Sequence, residues 1–448
     1  MASFITTSIT SYAKDVYEVW LRPLFVGLNP INTPGVRVVT GVRGKMNLNY
    51  FAAASKVLKA YTKGWTTPAG ANAYTQRTLT TYQMKAEASQ DANVFKNTVL
   101  EELKGKGIDW NNLEAADPAL QAIIMENFMR AVESDVYRQY WLNDTAKETI
   151  SSGVYTGTAD TNYNAFDGMW KLLISNATTT PTTEDHIKRV AFSNGSVAQV
   201  ATVTITGTSG TANITWAGVN YLATFATDLA TTALNFKTTH AAAMLVRGVT
   251  LTNSGATVIL TSTIAGMPFA APTIANVSGD LAGSVAATTA NTAPAALSAD
   301  EALAALKSLY ETADATLRAI PSLQKAFLVS DSVYYNYLAT VEGYSATYLY
   351  TSPEGRSVMM NGANVLLYRG VPVIKMGWDV HLDADFPTAY PHRIIYTEMN
   401  NLVLGIDDTN EMNAIEFWYN KDDQENRWRA QFEMGVQYIH GKLTAVAY

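Results

Sequence analysis

The sequence predicts an α+β fold in which a mixed body is interrupted by a small β-rich module. Three observations predict it. Apolar residues recur at helical spacing in a few stretches only. Residues 190–297 alternate apolar and hydroxylated side chains and hold four charges, Asp228, Lys237, Arg247 and Asp280. The end of the chain is a series of apolar runs separated by Asp- and Asn-rich turns. A chain of 448 residues fits two or three domains, and 48% hydrophobic residues supply real cores. Cysteine is absent, which excludes disulfides, thiolate zinc sites, iron–sulfur clusters and cysteine nucleophiles.

The first residues are rich in Ser and Thr, with no basic start followed by an apolar core, so no secretory signal is expected. No run approaches the ~18 apolar residues of a membrane span. Residues 19–86 then carry nine bases and no acid: Arg22, Arg37, Arg43, Lys45, Lys56, Lys59, Lys63, Arg77 and Lys85. The whole chain is net −7, so this stretch is a basic limb on an acidic protein. Such a limb is built to touch something negative: nucleic acid, an acidic membrane or the acidic body of another copy. Between residues 27 and 82, Pro, Gly, Asn and Thr interrupt every pattern, as in a functional arm or loop. Residues 83–103 read as a helix with a weak stripe. A strong helix starts at Asp117–Pro118 and runs to about residue 141, with Leu120, Ile124, Phe128, Val132, Val136 and Tyr140 on one face.

In the module, strands are expected at 200–206, 212–216, 221–225, 249–252, 258–263, 272–277 and 281–285, with a helix over 228–246. Ser298 and Glu301 form a capping box that opens the next helix, along Leu303, Leu306, Tyr310, Ala313 and Leu317. Helical text thus resumes where it stopped, as when a module is inserted at a surface loop. Domains of 1–186, 187–297 and 298–448 are expected. In the last, 326–329 and 371–376 read as buried strands and 332–340 as a helix. Strands follow at 394–396, 402–406, 415–419 and 428–436, the last with Trp428, Ala430, Phe432 and Met434 on one face.

Catalytic chemistry finds little footing. No phosphate-binding glycine loop, dinucleotide fingerprint or nucleophile elbow is present. The five histidines, His186, His240, His381, His392 and His440, include no helical metal pair. Asp379, His381, Asp383 and Asp385 at period two could present four ligands to a hard cation from one strand face. The plainer reading, an acidic loop edge ahead of Pro387, is preferred. Asp407–Asp408 and Asp422–Asp423 read as turn residues. No catalytic, cofactor-binding or metal residue is therefore nominated. Tyr50, Phe51, Tyr61, Trp65 and Tyr74 interleave with the bases and could stack on single-stranded nucleic acid. A pI of 5.4 argues against that. Residues 379–433 hold twelve acids against four bases. Head-to-tail contact between this acidic body and the basic limb of a neighbour is favoured, through Arg37, Arg43, Lys45, Lys56, Lys59, Lys63 and Arg77.

The order of parts, a broken basic arm, a long amphipathic helix and a mixed domain ending in "NNLVLGIDDTN" and "IEFWYNKDDQENRWRAQFEMGVQY", resembles the major capsid proteins of tailed bacteriophages, with their Hong Kong 97-type fold. The segments "YTKGWTTPAG", "LTTYQMKAEASQDANVFKNTV" and "FMRAVESDVYRQYWLNDTA" look most like those of phages of Bacteroidetes, including the crAss-like group. The resemblance covers about 1–180 and 298–448. It implies a structural protein without turnover or cofactor, assembling as hexamers and pentamers into an icosahedral shell around double-stranded DNA. Residues 27–81 would be the extended loop, 118–141 the spine helix and 326–440 the axial domain, with 190–297 an immunoglobulin-like or related β-sandwich insertion. The implied partners are copies of itself, portal, scaffold or decoration proteins and packaged DNA by non-specific contact, with no membrane. The implied place is the virion capsid, after synthesis in the host cytoplasm. Two rivals are an encapsulin-like nanocompartment shell protein and a surface or carbohydrate-binding protein using the β-rich module.

Overall fold

A computed structural model describes residues 35–51, 60–61, 63, 74–91, 118–151, 154–180, 185–192, 196–263, 265–293, 295–343, 358–360, 363–386, 390–407, 415–420, 422–423 and 425–448. The chain opens with β1 (Val36–Val39), β2 (Lys45–Phe51), β3 (Tyr74–Thr80), β4 (Tyr82–Asp91) and α1 (Pro118–Leu142). A short hairpin, β5 (Glu148–Ser151) and β6 (Val154–Ala159), precedes α2 (Met169–Asn176), β7 (Ala177–Thr178) and β8 (Ile187–Val190). The β-rich module holds β9 (Val200–Thr206), β10 (Gly210–Trp216), β11 (Val219–Thr224), α3 (Leu229–Val246), β12 (Val249–Ser254), β13 (Thr257–Ser262), β14 (Thr273–Gly279) and β15 (Ala282–Thr289). After it come α4 (Glu301–Thr312), α5 (Ala315–Ala319), β16 (Lys325–Val329), α6 (Asp331–Glu342), β17 (Val358–Met360), β18 (Ala363–Tyr368), β19 (Val371–Lys375) and α7 (Asp379–Asp385). The end is strands alone: β20 (Ile394–Glu398), β21 (Leu402–Ile406), β22 (Ile415–Asn420), β23 (Glu425–Tyr438) and β24 (Thr444–Ala447).

Two compact units result, each assembled from two separate stretches of the chain. The first joins residues up to 142 with 400–440; the second joins 143–399 with 441–448. The C-terminal third is thus divided: β21, β22 and β23 belong with the N-terminal strands, not with the sheet before them. In the first unit β23 is the centre. It pairs antiparallel with β21 and β22 along one flank and with β4 along the other, and β1 extends the sheet by pairing parallel to β21. Its alternation is as expected, with Trp428, Ala430, Phe432 and Met434 buried.

The helix expected over residues 83–103 is not one in its described part. Residues 82–91 form β4, which runs ten residues in register along β23, Ala86 opposite Ala430 and Ala88 opposite Trp428. Lys, Ala, Glu and Gln favour helix, but ten residues of ladder beside an apolar strand outweigh a propensity worth tenths of a kcal/mol each. The irregular arm expected before residue 82 likewise contains β1 and a regular hairpin of β2 and β3. Helix α1 covers the expected span, and its stripe of Phe128, Val132, Val136 and Tyr140 is buried, as are Tyr137 and Trp141. Asp117 lies outside the described residues.

The second unit is built on an eight-stranded sheet, β17-β18-β19-β16-β20-β24-β8-β7. Helices α4 and α6 share its core through Leu306, Leu309, Val333 and Tyr337, against Phe327, Val373 and Tyr396. The expected capping box is half formed: the Ser298 amide donates to the Glu301 carboxylate at 2.9 Å, but the Ser298 hydroxyl donates to that same carboxylate at 2.9 Å instead of capping the helix.

Each strand and the helix expected in the module are present. Its strands form two antiparallel sheets, β11-β10-β14 and β12-β13-β9-β15, that share one core of Val203, Ile205, Ile214, Trp216, Phe236, Leu251, Val258 and Leu260. An 18-residue helix between its third and fourth strands distinguishes it from an all-β sandwich. Val197 and Thr292 bridge the chain where it enters and leaves, each amide bonding the other's carbonyl at 3.1 and 3.2 Å. Val190, Phe192 and Leu297 pack on the α4–α6 core at that root.

At the opposite end of the module the β9–β10 and β14–β15 turns are tied together by Asp280. It accepts from the amides of Thr208 (2.9 Å) and Ser209 (2.6 Å) and from both hydroxyls. The Thr208 amide first, then these hydroxyls and the Ser209 amide, hold the Asp280 carboxyl far below the usual carboxylate range. A carboxyl more acidic folded than unfolded contributes stability that is present above the unfolded value, about 3.9, and is lost as pH falls through the folded one. In urea titrations, Asp280→Asn should lower the midpoint at pH 6, and the gap to wild type should close progressively below about pH 4.

Candidate functional site: the basic hairpin and its seat

The basic limb becomes the β2–β3 hairpin, a two-stranded sheet in which no third strand joins among the described residues. One face is turned to its own unit. Leu48 and Leu79 are buried with Val42 and Val403 in a small core. Tyr50 stacks on His440 at 4.2 Å and 16°, and the Arg77 guanidinium lies 3.9 Å from the centre of the Tyr438 ring. Gln437 Nε2 donates to the Thr78 carbonyl at 3.2 Å. The other face, with Lys45, Asn47, Asn49, Phe51, Gln76 and Thr78, is exposed, Phe51 by 70%.

A pair of glycines forms the seat. Gly405 on β21 and Gly435 on β23 stand directly opposite one another. A Cβ on Gly435 would lie 2.0 Å from the Thr80 carbonyl oxygen, and one on Gly405 would lie 2.6 Å from Leu79 Cδ2. The two bare positions let the base of β3 descend onto the sheet. Beside them the Thr81 hydroxyl donates to Glu433 Oε2 at 2.8 Å, and the Thr81 amide donates to the Gly44 carbonyl at 2.8 Å. Arg43 Nε donates to Asp407 Oδ1 at 2.6 Å.

The seven bases singled out from the sequence therefore do different things. Arg43 is paired with Asp407 of its own chain, and Arg77 faces inward over Tyr438. Part of the limb-to-body complementarity expected between copies is thus closed within one. Arg37, Lys45 and Lys63 are exposed. Lys56 and Lys59 lie outside the described residues. Sequence reasoning missed Gly405, Gly435, Tyr438 and His440. Their only trace is a glycine in the apolar β21 and another in the alternating β23, the strand mark of close backbone approach.

The residues from Asp379 lie on neither the strand face weighed above nor the loop edge preferred to it. Residues 379–385 are a short helix, on which period-two positions point to different sides, so no strand face presents four ligands. Asp379 Oδ2 accepts from the Ser332 amide at 2.7 Å, and Asp385 accepts from the Tyr163 hydroxyl. Among the described residues no three His, Asp or Glu side chains gather as a metal site would require. No helix among them is long and apolar enough to cross a membrane.

No family model and no curated protein matches the chain. Solved structures similar to it include "Capsid structure of the Cyanophage P-SCSP1u" (TM-score 0.41, 9% identity, covering 99% of this chain and 93% of that one). Another is "Gordonia phage Cozz" (TM-score 0.39, 10% identity, 100% and 98%), and a third "The capsid of Myoviridae Phage XM1" (TM-score 0.38, 9% identity, 99% and 98%).

Gly435→Ala should lower stability by about 1–3 kcal/mol, because the new methyl meets backbone that cannot step aside. Gly405→Ala, which meets only the end of a leucine, should cost less. Urea midpoints check the order, and amide exchange should speed up in residues 74–80 of the Gly435 variant alone.

Proposed function

We propose that this chain is the major capsid protein of a tailed bacteriophage, a structural protein that self-assembles into an icosahedral shell around double-stranded DNA. One observation carries the reading: a hairpin firmly seated at its root turns a second face, with Lys45, Asn47, Phe51, Gln76 and Thr78, out to solvent. A two-stranded sheet is marginal alone in water. With Phe51 exposed by 70% among amides and hydroxyls, that face is made to lie against another surface. The acidic body of a neighbouring copy is that surface, met by the exposed Arg37, Lys45 and Lys63 and, from the sequence, by Lys56 and Lys59, whereas Arg43 and Arg77 hold the hairpin to its own chain.

In this reading the fold is of the Hong Kong 97 type. The arm and hairpin are its extended loop and α1 is its spine helix. The α+β body carries an inserted module of immunoglobulin-like kind. Domains of 1–186, 187–297 and 298–448 describe the linear order of arm and spine, insertion and remaining body. The copies form hexamers and pentamers, portal, scaffold or decoration proteins attach to them, and DNA is met without sequence preference. The site is the virion, the place of synthesis the cytoplasm of a bacterium, and the chain's segments look most like those of phages of Bacteroidetes, including the crAss-like group.

Expression of the chain, size exclusion and negative-stain electron microscopy test this directly. Closed shells or capsomers are the expected result. Reversing Arg37, Lys45 and Lys63 to Glu together should abolish assembly while the circular dichroism spectrum of the unassembled chain stays unchanged. Shells from the triple variant would remove the charge argument. Replacing residues 197–292 by a short Gly/Ser link should leave assembly intact, because the module enters and leaves at one point.

A further inference from the structure

The module is closed on one side and open on the other. Helix α3 runs from β11, an edge of the three-stranded sheet, to β12, an edge of the four-stranded sheet. It buries Ala233, Phe236 and Met244 in the shared core and so covers that side. The remaining edges are β14 and β15, which follow one another through the Asp280 turn. Each pairs on one flank only among the described residues, and their side chains are largely exposed.

Open edges are normally blunted by charge or proline. The edge strand β4 obeys this, with Lys85 and Glu87 exposed along it. The edges of the module do not: β14 reads TIANVSG and β15 reads AGSVAATT, with no charge and no proline. The two differ in one respect. Asn276 Nδ2 donates to the carbonyls of Ser278 (3.3 Å), Gly279 (3.1 Å) and Leu281 (2.7 Å), so β14 caps its own end. On β15 residues 282–287 run in regular register with β9, and the irregularity falls after Ala287.

We propose that β15 pairs antiparallel with β15 of a second copy, joining two four-stranded sheets into one of eight. Self-pairing about a two-fold axis sets every residue against its own kind or its mirror position, so any charge on the edge would meet like charge. β15 has none. Its Ala, Gly and Ser side chains let two backbones approach to the usual strand spacing, and it offers no charge to select a foreign partner. The inference goes beyond the shell reading and stands without it, because it concerns two copies of the module in solution or in any assembly.

The chain has no cysteine of its own, so single cysteines report contact cleanly. Each of residues 284–287 is changed to Cys in the full chain, with Thr215→Cys, half-exposed on the central strand of the other sheet, as the control, and dimer formation is followed under mild oxidation. Across an antiparallel axis the self-facing residue sits about 4.5–5.5 Å from its copy, within disulfide reach. One position, with weaker crosslinking at its neighbours on the same face, should crosslink at least about tenfold faster than the control, as expected when pairing raises local concentration. Adding Ala286→Lys to the fastest variant, or to Ser284→Cys should position 286 itself be fastest, should return the rate to control level. Equal rates at all positions, or no rate above the control, would overturn the proposal.

Discussion

Everything in the first unit depends on β23 being paired along both flanks. A fourteen-residue strand with neighbours on each side has no solvent edge to spare, so its sequence must satisfy two ladders and one apolar face together. Strict alternation from Trp428 to Met434 meets the apolar demand. Gly435 meets another, since a third layer of chain crosses the strand there and only a residue without a side chain leaves room. The hairpin, its seat and the direction in which its outer face points all follow from that one crossing.

The charges of the limb act at two ranges. Arg43 is 73% exposed although it pairs with Asp407, and an ion pair so open to water contributes roughly 0–1 kcal/mol. It biases the base of the hairpin without fixing it. The firmer hold is apolar and aromatic: Leu48 and Leu79 in the small core, Tyr50 on His440, Arg77 on Tyr438. A limb held by its apolar root keeps its outer bases at a defined spacing, which is what electrostatic complementarity between surfaces needs.

The module was the most legible part of the sequence because its strands alternate strictly, its turns are glycines and its helix opens with Asp228, whose side chain accepts from the Thr231 amide at 2.7 Å. The C-terminal strands were legible for the same reason. Residues 83–91 were misread because alanines and long polar side chains look helical in isolation, and only a partner more than three hundred residues away makes them a strand. The site was half legible: charge bias marked the limb, but nothing local tells that Arg43 and Arg77 turn back on their own chain while Arg37 and Lys45 stand exposed. The seat was hidden because two glycines acquire meaning only when β21 and β23 are side by side.

The bridge between Val197 and Thr292 brings the two ends of nearly a hundred residues to within one pair of hydrogen bonds. A segment whose ends already touch imposes no strain on its host, whatever its own fold. In evolutionary terms the position is a cassette slot. Lineages can trade, enlarge or discard what hangs there while selection on the host body stays undisturbed, and an engineer can use the same slot to display a foreign domain whose termini lie close together.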